Sequence, residues 1–166
     1  LPTKILPKEF RRKILILYKF VRIFDEYIDE ENTPNKEKFF KAKEEFIKAL
    51  SFGSRIDFIN DMAILAKEEK IEDQIFIFLD AMELDITKSR YQNYKELEDY
   101  MSGSATAVGY IFLKMCNGDE RLKPEAKSMA EFSQMVNFLR DIREDIENRD
   151  RIYIPKEDLI KFNLKD

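Results

Sequence analysis

The chain has 166 residues, of which 44% are hydrophobic and 37% charged, and its formal net charge is -4. This length predicts a single domain over residues 1–166 with a sizeable core, and the acidic balance argues against a nucleic-acid partner. The absence of histidine excludes histidine-based catalytic triads and the usual zinc sites. Any bound metal should be a hard cation held by oxygen ligands. The one cysteine, Cys116, excludes an internal disulfide, and its apolar surroundings predict a small core residue.

Helix-breaking residues are rare, because the chain contains only Gly 4 and Pro 5. This composition, rich in leucine, isoleucine, lysine and glutamate, predicts an all-α fold. No apolar run is long enough for a membrane-spanning helix, and no signal peptide is visible. Breaks are expected at 32–34, 51–54, 117–119 and Pro155. The helices predicted in chain order cover residues 7–30, 36–50, 55–69, 72–89, 93–116, 124–149 and 156–162.

The first predicted helix carries an apolar stripe and a polar stripe side by side. The apolar residues recur every three or four positions, which is typical of a face that packs on a core; they are Ile14, Leu17, Val21, Phe24 and Ile28. The polar residues share one neighbouring direction on the helix because they follow the same spacing; they are Tyr18, Arg22, Asp25 and Asp29.

The helix predicted over 124–149 repeats this arrangement. Its apolar face consists of Met135, Phe138, Leu139, Ile142 and Ile146. The polar stripe beside that face consists of Gln134, Asn137, Asp141 and Asp145. Each acidic pair is accompanied by an arginine, Arg22 in the first helix and Arg140 in the second.

The acidic pairs allow two interpretations. A polar stripe in a charged chain is usually a solvated helix face. Alternatively, two partly desolvated Asp-x-x-x-Asp pairs could share a metal ion, which would relieve the repulsion between like charges four residues apart. A third pair, Asp57 and Asp61, has the same spacing without a framing arginine, asparagine or glutamine, and we expect it on the surface.

The metal interpretation leads to a specific chemistry. Mg²⁺ is usually bound by one or two carboxylates together with substrate phosphates, and arginines bind the remaining phosphate oxygens in a bidentate manner. Diphosphate is a leaving group that such an ion can stabilise. The 14 phenylalanines could line an apolar tunnel for the rest of the substrate and protect an allylic carbocation.

Three motifs, in order, resemble those of the squalene/phytoene synthase family of head-to-head prenyl transferases. Residues 11–30 resemble its first aspartate-rich helix, and residues 82–91 with 96–100 resemble its central motif. Residues 134–145, QMVNFLRDIRED, followed by RIYIP at 151–155, resemble its second aspartate-rich motif and tail. The resemblance implies an isoprenoid-synthase-type helical bundle. Because family members continue through further helices, the chain also resembles a partial domain, truncated at its C-terminus.

The resemblance implies roles residue by residue. Asp25 and Asp29 would bind Mg²⁺ for one diphosphate, and Asp141 and Asp145 would do so from the facing helix. Tyr100 matches a catalytic tyrosine near the reacting carbons, so that the implied catalytic residues are Tyr100, Asp25 and Asp141. The matched residues at the diphosphate sites and the cavity mouth are Arg22, Arg140, Gln134 and Asn137.

Other family positions have open roles. Asp85, Arg90 and Tyr91 match the central motif, where a buried ion pair of Asp85 with an arginine and a substrate contact are equally compatible with the sequence. Gly109 matches a glycine at a close helix approach, for which packing is a sufficient reason. The Gly-Ser-Ala form of residues 103–105 resembles archaeal-type phytoene synthases more than squalene synthases.

The resemblance therefore implies an Mg²⁺-dependent enzyme that joins two allylic prenyl diphosphates, geranylgeranyl diphosphate first among them, to phytoene through a cyclopropyl diphosphate. The alternatives are a squalene-type synthase acting on farnesyl diphosphate, a non-catalytic relative acting as a scaffold, a head-to-tail elongase or terpene cyclase, and a helical binding module. We expect a cytoplasmic protein, with peripheral membrane association left open. Substrate chain length, use of NADPH and oligomeric state are not determined by the sequence.

Overall fold

The computed structural model describes residues 6–29 and 35–165, and this part of the chain is all-α, as predicted. A short parallel bridge between Arg90 and Ile152 is the one β-type pairing within the described residues. None of the helices in these ranges is long and apolar enough to cross a membrane. The helices are α1 (Lys8–Asp29), α2 (Lys36–Phe52), α3 (Asp57–Glu69), α4 (Glu72–Asp85), α5 (Tyr94–Met101), α6 (Ala107–Met115), α7 (Lys123–Arg149) and α8 (Lys156–Lys161).

The single helix predicted over 93–116 is divided into α5 and α6 by a π-helical turn, Ser102–Thr106. This turn consists of small residues and packs closely on α4. A Cβ atom at Gly103 would lie 2.5 Å from Cβ of Ala81 and 2.8 Å from the carbonyl oxygen of Ile77. The periodicity of apolar residues in the sequence does not reveal such a turn, because a π turn shifts the helical register by one residue only. Close helix packing at Gly109 was also predicted, and a Cβ atom there would lie 3.0 Å from Cβ of Ala130 on α7.

The helix predicted over 72–89 ends earlier, at Asp85. A turn at Ile86 and Thr87 follows, and the residues after this turn pair with the segment that follows α7. The Ile152 amide donates to the carbonyl oxygen of Ser89 over 2.9 Å, and the Lys156 amide donates to that of Tyr91 over 2.8 Å. This tertiary pairing supplies the hydrogen bonds that a longer α4 would have made. Two predictions lie outside the described residues: the break at 32–34 and the extension of the first helix to Glu30.

The apolar stripe of α1 forms part of the core, as predicted. Leu17, Phe24 and Ile28 are buried, while Ile14 and Val21 are partly buried against the same cluster. An aromatic group occupies the centre: the ring centroids of Phe20 lie 4.8 Å from Phe24 and 5.1 Å from Phe46, and those of Phe24 and Phe39 lie 5.4 Å apart. This core anchors α1 against α2 and α3 and so sets the direction of its polar stripe.

The apolar face of α7 differs from that of α1. Only Phe138 is buried, whereas four other residues are 36–66% exposed; they are Met135, Leu139, Ile142 and Ile146. The physical reason is that α7 packs on α6 and the π turn, which leaves this face uncovered by the described elements.

Two further outcomes concern single residues. The expectation that Cys116 is a core residue was wrong, because it is exposed where the chain leaves α6. Asp57 and Asp61 are exposed, as predicted.

Candidate active site

The nine predicted site residues line one cavity of about 960 Å³. The cavity lies between the C-terminal half of α1 and the C-terminal half of α7, and α4, α5 and the π turn contribute to its walls. The two acidic pairs therefore face a common space instead of opposite surfaces. The predicted residues on this lining are Arg22, Asp25, Asp29, Tyr100, Gln134, Asn137, Arg140, Asp141 and Asp145.

The wall contributed by α1 contains one carboxylate without a cationic partner. Asp25 makes no ion pair with any described residue, and burial, followed by the charge of Asp29, raises its pKa to about 7. One turn earlier, Nε of Arg22 donates to Oε1 of Glu26 over 3.1 Å. Asp29 is bound by Nη1 of Arg151 at 3.0 Å. Asp25 is thus the acid on this wall whose charge is least compensated.

The wall contributed by α7 carries a compensated acid and a buried acid. Arg140 binds the adjacent Asp141 in a bidentate manner: Nε donates to Oδ1 over 2.7 Å, and Nη2 donates to Oδ2. These hydrogen bonds lower the pKa of Asp141. Asp145 is buried, and burial raises its pKa despite a hydrogen bond from Nη1 of Arg149 at 2.9 Å. Earlier on the same helix, Nδ2 of Asn137 donates to Oε1 of Gln134 over 3.4 Å.

A buried hydrogen-bonded group closes the inner end of the cavity. The hydroxyl of Tyr100 donates to Oδ2 of Asp85 over 2.5 Å, and that of Tyr153 donates to Oδ1 over 3.5 Å. Burial raises the pKa of Asp85 to about 7, and burial also raises the pKa of Tyr100. The arginine beside Asp85 is Arg151, whose Nη2 donates to the Asp85 carbonyl oxygen over 3.0 Å.

The other two central-motif residues, Arg90 and Tyr91, do not line the cavity. Arg90 binds Asp150 through its carbonyl oxygen and, at 2.8 Å, through Oδ1, so that it holds the segment after α7 in place. Tyr91 is buried and stacks on Tyr153 with ring centroids 5.9 Å apart. The Asp85 carboxylate makes no ion pair with Arg90 or Arg151: its oxygens accept from Tyr100 and Tyr153, Arg151 donates to its main-chain carbonyl oxygen, and Asp85 also lies on the cavity lining.

Aromatic rings continue from this group along the cavity wall. Phe138 and Tyr153 stack with centroids 4.2 Å apart, and Tyr100 and Tyr153 with centroids 5.7 Å apart. Apolar side chains of α4 and α6 complete the surface; they are Phe78, Met82 and Val108. The cavity thus has a charged mouth and an aromatic interior, an arrangement that suits a substrate with an anionic end and an apolar body.

The donor set suits Mg²⁺ on chemical grounds, since it consists of carboxylates from two facing helices. No group of three or more metal-ligating side chains comes together within residues 6–29 and 35–165. Mg²⁺ is usually bound by one or two carboxylates and completes its shell with water and phosphate oxygens. The residues available to hold it are Asp25, Asp29, Asp141 and Asp145.

The residues of this cavity that sequence reasoning did not assign to the site include Arg149, Arg151 and Tyr153. Arg149 lies four residues after Asp145 on α7, a spacing that indicates an ion pair on one helix face. Its contact with Asp29 could not be predicted in this way, because the two residues are far apart in the chain. Tyr153 stands in the recognised tail motif, and its position in the cavity depends on the pairing of that tail with residues 89–91.

The raised pKa values predict a pH dependence of stability. The pKa of Asp85 rises from 3.8 to about 7 on folding, so the folded state binds more protons than the unfolded state between these values. The contribution is therefore present at low pH and is lost as pH rises through about 7. We expect the melting temperature of the wild type to decline more steeply from about pH 5 to about pH 8 than that of Asp85→Asn, which cannot ionise. Asp57→Asn, on the exposed pair, should keep the wild-type slope, and parallel slopes for all three proteins would contradict the assignment.

Comparisons with known proteins agree in fold and family. A family model described as squalene/phytoene synthase matches residues 1–166. A 15-cis-phytoene synthase of Synechocystis is 30% identical over the whole of this chain and 54% of its own length. A hydroxysqualene synthase of Sinorhizobium fredii is 29% identical over 90% of this chain and 51% of its own length. The chain therefore spans about half the length of these relatives.

Solved structures show the same arrangement of helices. The crystal structure of squalene synthase HpnC from Alicyclobacillus acidocaldarius superposes with a TM-score of 0.85 at 22% identity, over 98% of this chain and 62% of the other. A dehydrosqualene synthase solved in complex with a ligand gives a TM-score of 0.81 at 24% identity, over 96% of this chain and 56% of the other. The predicted isoprenoid-synthase-type fold is confirmed by these likenesses.

Proposed function

This chain belongs to the squalene/phytoene synthase family, and from that premise we propose that it joins two molecules of geranylgeranyl diphosphate, C1 to C1, to give phytoene. The observation that carries the proposal is the single cavity in which acids of α1 and α7 face each other beside stacked aromatic rings. Geranylgeranyl diphosphate is preferred because several relatives are named phytoene synthases.

The proposed reaction has two stages. In the first, the C1–O bond of one substrate breaks, diphosphate leaves, and the double bond of the second substrate attacks the C1 cation; proton loss closes a cyclopropyl diphosphate. In the second, the remaining C1–O bond breaks, the carbon skeleton rearranges, and a further proton is lost to give phytoene. No reductant is consumed, whereas a squalene-type synthase would end with hydride transfer from NADPH.

The acids and arginines at the mouth would bind and orient the diphosphates. Asp25, Asp29, Asp141 and Asp145 would hold Mg²⁺, which when bound neutralises charge on the leaving diphosphate as a Lewis acid. Two further cations flank these acids: Arg22 on α1 and Arg140 on α7 present guanidinium groups that can bind phosphate oxygens in a bidentate manner. Gln134 and Asn137 would add neutral hydrogen-bond donors beside them.

The inner residues would protect the carbocation. The faces of Tyr100, Phe138 and Tyr153 carry negative quadrupole charge that attracts a cation, and their close stacking keeps water away from it. Since burial raises the pKa of Tyr100, its hydroxyl stays protonated and would act through its hydrogen bond to Asp85 and through its ring. The protons lost in the reaction would then pass to released diphosphate. Release of a long hydrocarbon also makes peripheral association with a membrane part of this proposal.

Mass spectrometry of the hydrocarbon product tests the proposal directly. The protein expressed from its gene is incubated with Mg²⁺ and either geranylgeranyl or farnesyl diphosphate, with and without NADPH and isopentenyl diphosphate. We expect phytoene from geranylgeranyl diphosphate alone. A product that requires isopentenyl diphosphate would indicate a head-to-tail elongase, and a C30 product from farnesyl diphosphate would indicate a squalene-type enzyme. Binding of diphosphate without turnover would indicate the non-catalytic alternative.

A further inference from the structure

Arg149, the last residue of α7, connects the acidic pair of α7 with that of α1. Its Nη1 donates to Oδ1 of Asp145 over 2.9 Å, and its Nε lies 3.3 Å from Oδ1 of Asp29. Its Nη2 also donates to Oε1 of Glu144 over 2.7 Å. The side chain is only 19% exposed. A single guanidinium therefore supplies positive charge to both walls of the cavity.

The contact with Asp29 is electrostatic and not a well-formed hydrogen bond. Nε of Arg149 is buried and has no hydrogen-bond acceptor within the part of the chain that the structure describes, although Asp29 lies within ion-pair distance. A second cation, Arg151, donates to the same Oδ1 atom of Asp29 over 3.0 Å. Removal of the Arg149 charge would thus leave Asp29 paired, while Asp145 would lose the one ion-pair partner described for it.

A divalent cation would stabilise the same two carboxylates that Arg149 stabilises. Both lower the electrostatic energy of Asp29 and Asp145, which are close to each other and only partly solvated. Oδ1 of Asp145 accepts from Arg149, and Oδ1 of Asp29 accepts from Arg151 with Nε of Arg149 3.3 Å away, so a metal that binds these oxygens competes with arginine groups for them. A positive charge that remains nearby would also repel the metal.

We propose that Arg149 is a resident counter-ion that competes with the divalent cation for Asp29 and Asp145 and, once displaced from them, binds the metal-associated diphosphate. The inference rests on the proposed function for the identity of the metal and of the anion. In this role Arg149 keeps the two acidic helices together in the absence of substrate and makes metal binding depend on the anion that accompanies it. The planar donor fork suits this exchange, because it fits carboxylate and phosphate equally well.

The inference predicts effects of opposite sign on two ligands, which a purely structural role would not produce. Mn²⁺ serves as the probe, with free Mn²⁺ measured by electron paramagnetic resonance, and inorganic pyrophosphate serves as the anion. In Arg149→Gln we expect Mn²⁺ alone to bind roughly five- to tenfold more tightly than in the wild type, because one repelling charge is gone. With Mn²⁺ saturating, we expect pyrophosphate to bind roughly tenfold more weakly, because a bidentate donor is gone.

Two matched variants isolate the position and the charge. Arg143→Gln makes the same charge change on the same helix, at a side chain that is 85% exposed and paired with Glu147, and should leave both affinities at wild-type values. Arg149→Lys retains the charge and should keep the wild-type affinity for Mn²⁺. Circular dichroism at each metal concentration establishes that the variants are folded.

The outcomes separate this inference from the proposed function. If the wild type binds Mn²⁺ and pyrophosphate but Arg149→Gln binds Mn²⁺ no better than Arg143→Gln, the counter-ion role is overturned and the proposed function stands. If both affinities fall together in Arg149→Gln while Arg149→Lys is normal, the arginine charge only supports the fold, and the inference is again overturned. A wild-type protein that binds neither probe would overturn both.

Discussion

Replacing Asp25 or Asp141 with alanine should reduce Mg²⁺-dependent binding of a diphosphate analogue by roughly 100-fold or more, since each change would remove one of the oxygen ligands proposed for the metal. Asp25 makes no ion pair with any described residue and lies on the cavity lining, so a metal can bind its carboxylate without displacing an arginine from it. Asp141 faces it from α7 on the same cavity. Isothermal titration calorimetry with and without Mg²⁺ measures the effect.

Asp57→Ala is the matched control for this prediction. It removes an aspartate from a pair of the same spacing, but that pair is exposed and lies away from the cavity. Its binding should equal that of the wild type. Because burial raises the pKa of Asp25, Asp25→Ala should also be at least as stable as the wild type near neutral pH, so that loss of binding cannot be attributed to unfolding. Unchanged binding in both Asp25→Ala and Asp141→Ala would remove the basis for the site.

Gly103→Val should destabilise the fold by about 3 kcal/mol or more, because overpacking against backbone cannot be relieved by rotamer changes. The first added atom alone would lie 2.5 Å from Cβ of Ala81 and 2.8 Å from a main-chain oxygen of α4. The π turn would have to move away from α4 and would carry Tyr100 away from Asp85 with it. In a chain of this size the melting temperature should fall by about 10 °C, as measured by thermal denaturation followed by circular dichroism.

Ser102→Val provides the control at the neighbouring position. It introduces the same side chain into the same π turn, but Ser102 is exposed, so its melting temperature should stay within about 2 °C of the wild type. Equal stability of Gly103→Val and Ser102→Val would show that α4 and the π turn can separate without penalty, contrary to the close approach described here.

The helices and the acidic pairs were within reach of sequence reasoning because both depend on local spacing. The stripe of α1 illustrates this, since three- and four-residue intervals place Asp25 and Asp29 beside a core face wherever the helix lies. Sequence reasoning could not predict the π turn or the early end of α4, because both arise from contacts between distant segments. The apolar face of α7 shows the same limit: its pattern is that of a packed helix, and yet the described elements leave most of it exposed.

The amino-acid sequence by itself determined the all-α class, the order of the three motifs and nine of the residues that line the cavity, since helical periodicity and residue identity are carried by short stretches of chain. Only the tertiary structure decided how those residues are paired. It placed Arg149 between Asp29 and Asp145, left Asp25 without an ion pair to any described residue, and joined Asp85 to Tyr100 and Arg151. The physical reason is that an ion pair depends on distances of a few ångströms between groups that can lie more than 100 residues apart, and sequence spacing contains no information on such distances.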